Sequence, residues 1–333
     1  MAKTWVRRAG GDESQAIRRG VQLAFLLLNI WIGVEFYRFV EAPSARVRPP
    51  GVEGWLPIAG MMNTKYWLTT GEIPVIHPSA MFLFIAFVTV SLLARKSFCG
   101  WLCPVGTISE YLWRLGRDTF GRNFHLPKWL DIPLRSLKYI LAGLFLYAVG
   151  SMAAPDIRAF LASPYGIVVD VQMLNFFRQL SLTAAVIIGV LVIGSVFVQN
   201  LWCRYLCPYG AVMGLAALLS PIRIRRVKQA CIDCGKCAKA CPSGLPVDRL
   251  VQVRSAECVG CMSCVAACPA EGALAMRIDP VGRPVSPRLV AALIAVVLFG
   301  ITGLAMWTGH WASPIPAAMY ERLIPLASQF GHP

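Results

Sequence analysis

Long apolar runs broken by short polar stretches dominate the chain. Val21–Val40, Pro78–Ala94, Ser136–Ala153, Ser181–Gln199 and Leu289–Thr308 each reach the length a helix needs to cross a bilayer, about 17 to 25 residues. They predict five transmembrane helices. Between the fourth and fifth runs the pattern breaks for a cysteine-rich stretch, Ile222–Asp279, too small to be held by apolar burial alone. After it comes Pro280-Val-Gly-Arg-Pro-Val-Ser-Pro287, which cannot continue a helix and reads as a linker. The expected organisation is an amino-terminal segment 1–20, a four-span membrane domain 21–221, an inserted domain 222–280, a linker with the fifth helix 281–308, and a tail 309–333.

Composition agrees with a membrane α protein. Of 333 residues 56% are hydrophobic and only 15% charged, with a mean hydropathy of +0.59, whereas soluble domains are about 25% charged. Charge also predicts the orientation. Met1–Gly20, Arg95–Arg135 and Asn200–Lys228 carry seventeen Lys and Arg, against six in Glu41–His77, Ala154–Leu180 and Gly309–Pro333. The amino terminus and the inserted domain are therefore expected on the cytoplasmic side of a bacterial inner membrane, with the tail outside. This bias accounts for most of the net charge of +15; no recognition motif accompanies it, and nucleic acid is not an expected partner. Val21–Val40 exceeds the usual 7 to 15 apolar residues of a signal peptide, which favours an uncleaved span. Trp55, Trp67, Trp307 and Trp311 read as an aromatic belt against membrane lipid.

Eight of the twelve cysteines form two copies of one spacing, Cys231-x2-Cys234-x2-Cys237-x3-Cys241-Pro242 and Cys258-x2-Cys261-x2-Cys264-x3-Cys268-Pro269. This is the ligand pattern of a bacterial two-cluster ferredoxin, in which the fourth cysteine of each run serves the other cluster. One [4Fe-4S] cluster is thus assigned to Cys231, Cys234, Cys237 and Cys268, the second to Cys258, Cys261, Cys264 and Cys241. Disulfides or paired zinc sites are the alternatives; a reducing compartment and a spacing repeated in full argue against both.

A second duplication lies outside the insert. Cys99-Gly-Trp-Leu-Cys103-Pro104-Val-Gly106 and Cys203-Arg-Tyr-Leu-Cys207-Pro208-Tyr-Gly210 share the pattern C-x-aromatic-Leu-C-P-x-G, each just after a run expected to descend to the cytoplasmic surface. In a helical backbone the cysteines at i and i+4 share a face, and proline suits the first turn of a following segment. Four converging thiolates would hold a further iron-sulfur centre. The alternative is packing, because C-x3-C alone is not a standard cluster spacing and free cysteine is often simply buried.

Together the paired C-x3-C-P motifs and the double-cluster insert resemble the NapH-like membrane ferredoxins, the NapH, NosR and MauN type. The likeness runs from about Val21 to Asp279 and includes the stretch from Arg48-Pro49-Pro50-Gly51-Val52-Glu53 to Lys65-Tyr66-Trp67 and from Cys99 to Glu110. It implies an electron-transfer subunit that takes electrons from membrane quinol and feeds a reductase system through a redox partner protein: a ferredoxin-like subunit, a cytochrome or a reductase. NapH-like chains commonly have four spans, so a fifth with an external tail is a departure. The large amino-terminal flavin domain of NosR-like proteins is not seen, so covalent flavin is not implied.

The residues extend that expectation. Between Ile222 and Asp279 nine cations, Arg223, Arg225, Arg226, Lys228, Lys236, Lys239, Arg249, Arg254 and Arg277, face five acids. Positive charge stabilises a reduced cluster and steers an acidic partner, although it also serves topology. Glu35, Arg38 and His77 are candidate quinone-site residues as ionisable groups in or beside spans, with a local Glu35–Arg38 ion pair as the alternative. His77 and His310 are further candidates for accepting a quinol proton, with haem binding as the alternative. No nucleophile or acid-base constellation suggests turnover on this polypeptide alone. The expected function is a relay between the quinone pool and a partner oxidoreductase. The alternatives are a polyferredoxin assembly or maturation factor that supplies electrons for metal or thiol reduction, and a structural scaffold.

Overall fold

Each of the five apolar runs folds as helix, since within lipid a helix satisfies its backbone groups inside one segment. The computed structural model describes residues 6–8, 10–124 and 126–331. In chain order the helices are α1 (Ser14–Glu41), α2 (Pro57–Thr70), α3 (Pro78–Leu93), α4 (Pro104–Phe120), α5 (Lys128–Ser151), α6 (Ala154–Ala162), α7 (Pro164–Ile167), α8 (Val169–Arg178), α9 (Leu182–Phe197) and α10 (Pro208–Leu218). Then follow β1 (Ile222–Arg226), α11 (Lys236–Lys239), α12 (Ser263–Ala266), β2 (Leu274–Ile278), α13 (Pro287–Trp307) and α14 (Ala317–Leu323). Proline opens α2, α3, α4, α7, α10 and α13, at the position where its missing N–H leaves no intrahelical bond unmade.

Fewer helices qualify as membrane spans than the sequence predicts. Among the described residues α1, α5 from Trp129, and α13 are long and apolar enough to cross alone; α8 and α9 qualify together as a pair bent by 81°. That makes three, or four with the bent pair. Helix α3 has 16 residues, about 24 Å at 1.5 Å per residue, short of a hydrocarbon core of about 30 Å. The cause is local: α3 and α9 both stop just ahead of a cysteine-bearing turn, Phe98–Leu102 or Trp202–Leu206, which takes residues that a longer helix would use. Leu23, Leu27, Ile30, Trp31, Val296, Phe299 and Leu304 face outward from α1 and α13, an arrangement suited to lipid contact.

The chain divides into two compact units. The first comprises residues 1–26, 88–142 and 190–297 and contains the cysteine-rich lobe. There β1 pairs antiparallel with β2, from Ile222 opposite Ile278 to Arg226 opposite Leu274. Alternation buries Ile222, Ile224, Leu274 and Met276, beside buried Val253, Val265 and Val285. The Pro/Gly stretch after β2 folds back rather than trailing free. Ile278 N–H donates to the Arg283 carbonyl at 2.9 Å and Val285 N–H to the Met276 carbonyl at 2.8 Å. At the opposite edge the amino-terminal segment straps onto the lobe: Arg8 N–H donates to the Pro269 carbonyl and Glu271 N–H to that of Val6, both at 2.9 Å.

The second unit comprises residues 27–87, 143–189 and 298–333. One apolar cluster gathers Phe36, Phe39, Val52, Val168, Val171 and Tyr320; another gathers Leu56, Met62, Tyr66, Val149, Ile157 and Leu161. The predicted tail is structured over its described part, with Tyr320 of α14 buried and Gln172 Nε2 donating to the Ala327 carbonyl at 2.8 Å.

Candidate metal centres

The C-x-aromatic-Leu-C-P-x-G repeats build two equivalent turns. Cys103 N–H reaches back five residues to the Phe98 carbonyl at 2.9 Å, and Cys207 N–H to that of Trp202 at 3.0 Å, so each first cysteine sits in a wide π-type turn. Such turns recur at functional sites. The i, i+4 helical face expected from sequence is thereby replaced, because the second cysteine turns extended (ψ 118° at Cys103, 104° at Cys207) and caps the next helix. Proline is the first helical residue, and the glycine two further on supplies an N–H to the cap: Gly210 N–H donates to Cys207 Sγ at 3.3 Å. Glycine is required at the matching position of the first copy, where a Cβ on Gly106 would lie 2.5 Å from the Cys99 carbonyl oxygen.

These turns bring Cys99, Cys103, Cys203 and Cys207 within electrostatic reach of one another, with the nearly buried Lys96 beside them. Desolvation pushes the Cys99 thiol up to about 12 and that of Cys103 to about 11, against the pull of Lys96 and, at Cys103, of the Gly106 and Val105 N–H groups. Thiols held so high stay protonated unless a metal displaces the protons.

In the lobe the thiols gather across the two repeats. Cys268 lies within reach of Cys231 and Cys234, and Cys237 of Cys268; Cys241 lies within reach of Cys258 and Cys261, and Cys264 of both these and Cys241. Buried Cys237 and Cys264 occupy matching places in α11 and α12, whose caps Gly235 and Met262 both adopt left-handed backbone. Arg226 Nη1 donates to Cys231 Sγ at 3.5 Å. All twelve cysteines are free. Among the described residues no three His, Cys, Asp or Glu side chains close on a single metal ion. The spacing of the eight lobe cysteines is that of cubane ligands rather than of zinc sites.

The lobe sits directly on the first cysteine turn. A Cβ on Gly100 would lie 2.5 Å from the Val259 carbonyl oxygen, and fully buried Trp101 donates its indole N–H to the Gly260 carbonyl at 3.1 Å. Buried Arg95 donates to the Ala217 carbonyl at 3.0 Å and the Ser255 carbonyl at 2.7 Å. Lys138 and Tyr139 of α5 meet Glu257, next to Cys258, at 2.6 and 2.7 Å. Sequence reasoning missed Lys96, Trp101 and the Lys138–Glu257 pair; a lysine within an apolar run was the available signal.

The quinone candidates do not come together as one site. Glu35 and Arg38 pair at 2.8 Å on an exposed stretch of α1, the local ion pair held as the alternative. His77 is fully buried elsewhere: its Nε2 faces the Gly166 carbonyl at 2.7 Å, and its Nδ1 faces Glu53 Oε1 and Arg48 Nη2, both at 3.2 Å. Arg48 joins Glu53 at 2.6 Å and Asp170, through Nε and Nη2, at 2.9 and 2.6 Å. With Nε2 donating to the carbonyl, a neutral imidazole accepts from Arg48 and a charged one donates to Glu53. The Glu53 contact and burial act in opposite directions on His77, and the balance raises its pKa above the ordinary value. Sequence reasoning picked out one member of this network.

Known proteins resemble both cysteine regions. A family model described as "4Fe-4S binding domain" matches residues 76–123 and 180–226, spanning the two C-x3-C-P turns, and one described as "4Fe-4S dicluster domain" matches residues 223–269. The chain is 49% identical to "Putative electron transport protein YccM" of Escherichia coli (strain K12) over 326 residues, 95% of this chain and 91% of that one. It is 27% identical to "Methylamine utilization ferredoxin-type protein MauN" of Methylorubrum extorquens (68% and 72% of the two chains). To "Ferredoxin-type protein NapH" of Escherichia coli (strain K12) it is 25% identical (56% and 61%). No solved structure matches.

Proposed function

Because this chain belongs to the family of NapH, NosR and MauN type ferredoxin proteins, one of whose members carries the name "Putative electron transport protein YccM", we propose that it relays electrons between the membrane quinone pool and a partner oxidoreductase through three iron-sulfur centres. Cys231, Cys234, Cys237 and Cys268 would hold one [4Fe-4S] cluster, Cys258, Cys261, Cys264 and Cys241 the second, and Cys99, Cys103, Cys203 and Cys207 the third. The ferredoxin lobe faces the cytoplasm in this reading, as the distribution of Lys and Arg supports. When bound, such a centre takes up and releases single electrons at a potential set by nearby charge, hydrogen bonds to sulfur and solvent access. This chain supplies those levers: the Gly210 N–H at Cys207, the Arg226 guanidinium at Cys231 and the Lys96 ammonium beside the membrane set.

The observation that carries the proposal is the joint between the first cysteine turn and the Cys258–Cys261 loop, where Gly100 and Trp101 put the two in direct backbone contact. Such closeness suits electron passage between membrane surface and lobe. Iron analysis of anaerobically purified protein is expected to give about twelve irons per chain, falling by about four in a Cys99→Ser, Cys203→Ser double variant. A wild-type value near eight would remove the third centre. Rapid mixing with a reduced quinol analogue is expected to reduce the wild-type protein. Reduction by dithionite but not by quinol would overturn the quinone assignment in favour of the assembly-factor reading.

A further inference from the structure

We infer that the face of the lobe beside Cys231 is the docking surface for an acidic one-electron carrier protein, received in a cleft lined by Arg225, Arg226, Lys228 and Arg277. The inference rests on the iron-sulfur reading above and adds to it the place where a carrier protein meets the chain.

The thiol sets are ordered in space. The membrane set adjoins the Cys258 set through Gly100 and Trp101, and Cys264 of that set lies within reach of Cys237 of the Cys231 set. The Cys231 set is then the far end of the series, and Cys234 within it is exposed. Beside this end opens a cleft of about 460 Å³ with Val227, Gln229, Val251 and Gly282 completing its wall. Four cations line it and no acidic side chain does, among the described residues. Arg226 bridges cleft and thiol: the same guanidinium that lines the cleft meets Cys231 Sγ at 3.5 Å and Asp233 at 3.3 Å. Arg225 lies 3.8 Å from Asp279 and Lys228 is exposed, while Arg277 donates through Nη1 to the Gly282 carbonyl at 2.8 Å. Buried Arg277 Nε has no hydrogen-bond partner among the described residues.

A cationic cleft one side chain from the terminal thiol set fits a carrier that presents carboxylates around its own redox centre. Opposite charge raises encounter rates and fixes orientation. In the exchange one partner is oxidised by one electron and the other reduced by one; no bond forms or breaks and no proton is needed.

The test uses the full, iron-loaded chain in detergent, with an acidic plant-type ferredoxin as probe and a basic cytochrome c as its opposite in charge. Equilibrium binding is read with both partners oxidised, so that no turnover is required. Ferredoxin is expected to bind at low salt and cytochrome c not to. An Arg225→Glu, Lys228→Glu double variant is expected to weaken ferredoxin binding at least about tenfold, with the milder Arg225→Gln, Lys228→Gln pair in between. The difference should vanish near 1 M salt, where the Debye length is about 3 Å. Iron content and visible spectrum, measured on each variant, separate loss of the clusters from loss of the docking surface. Three results would overturn the inference: no ferredoxin binding by the wild type, an equal loss from Arg288→Glu elsewhere on the surface, or displacement by millimolar inorganic phosphate at constant ionic strength, which would mark a small-anion site.

Discussion

Arg48→Met is expected to cost the solubilised protein about 3–5 kcal/mol of unfolding free energy, the range for stranding one partner of a buried ion pair. Among the described residues Arg48 is the guanidinium that joins Glu53 to Asp170, whose side chains are fully enclosed, and its loss leaves His77 as the one remaining described cationic group beside the two carboxylates. Arg48→Lys restores charge without the fork that grips Asp170 twice and should recover part of the loss. A loss below about 1 kcal/mol for the methionine variant would mean that the network contributes little. Acid sensitivity gives the same test independently. Burial alone would raise the Glu53 carboxyl, but attraction to Arg48 and hydrogen bonds from His77 and Ser79 outweigh it and hold the group at about 2, below its ordinary 4.5. A depressed carboxylate stabilises the fold fully above its unfolded value, and that contribution, roughly 3 kcal/mol, is lost as pH falls from about 4.5 towards 2. His77 has the opposite sign: raised above 6.5, it favours the fold at lower pH and loses that contribution as pH rises through its folded value. Urea or detergent unfolding across pH should therefore show an acid limb that shrinks in Arg48→Met.

Removing iron, or replacing Cys258 with alanine, is expected to open the lobe. Its helices α11 and α12 have 4 residues each, far below the length at which a helix holds by itself, and its sheet has two strands. The buried side chains around β1 and β2 form a thin layer, so the thiol sets must supply what packing does not. Limited trypsin digestion at Lys236 and Lys239, followed by mass spectrometry, should accelerate at least about tenfold, corresponding to about 1.4 kcal/mol or more of lost local stability. The Cys99→Ser, Cys203→Ser variant leaves the lobe's own cysteines in place and should keep its resistance. Unchanged cleavage after complete iron removal would show that the lobe is held by side-chain packing alone.

Where residues that act together lie close in the chain, the sequence was readable. Each C-x2-C-x2-C-x3-C-P run is a short stretch of loop and one helical turn, and the structure puts Cys241 within electrostatic reach of Cys258 and Cys268 within that of Cys231. The apolar runs likewise announced helices. Their count as spans was less legible, because nothing in hydropathy says that a helix will stop at Leu93 to make room for a wide turn. Nor does a C-x3-C spacing reveal that the second cysteine becomes a helix cap; only Pro104 and Gly106, read as the first and third residues of α4, carry that information. Arg48, Glu53, His77 and Asp170 are separated by up to 122 positions, so their union was invisible to any local pattern. A charged residue in an apolar chain signals that a partner exists and leaves its identity open.

The two cysteine turns also constrain how the protein is made. Each carries half of a four-thiol set, and the copies stand 104 positions apart, so a nascent chain that has released Cys99 and Cys103 owns two sulfurs and no companion pair. In the proposed reading of these four thiols as one centre, loading waits until Cys203 and Cys207 have left the ribosome, so synthesis of the chain's first half cannot complete that set.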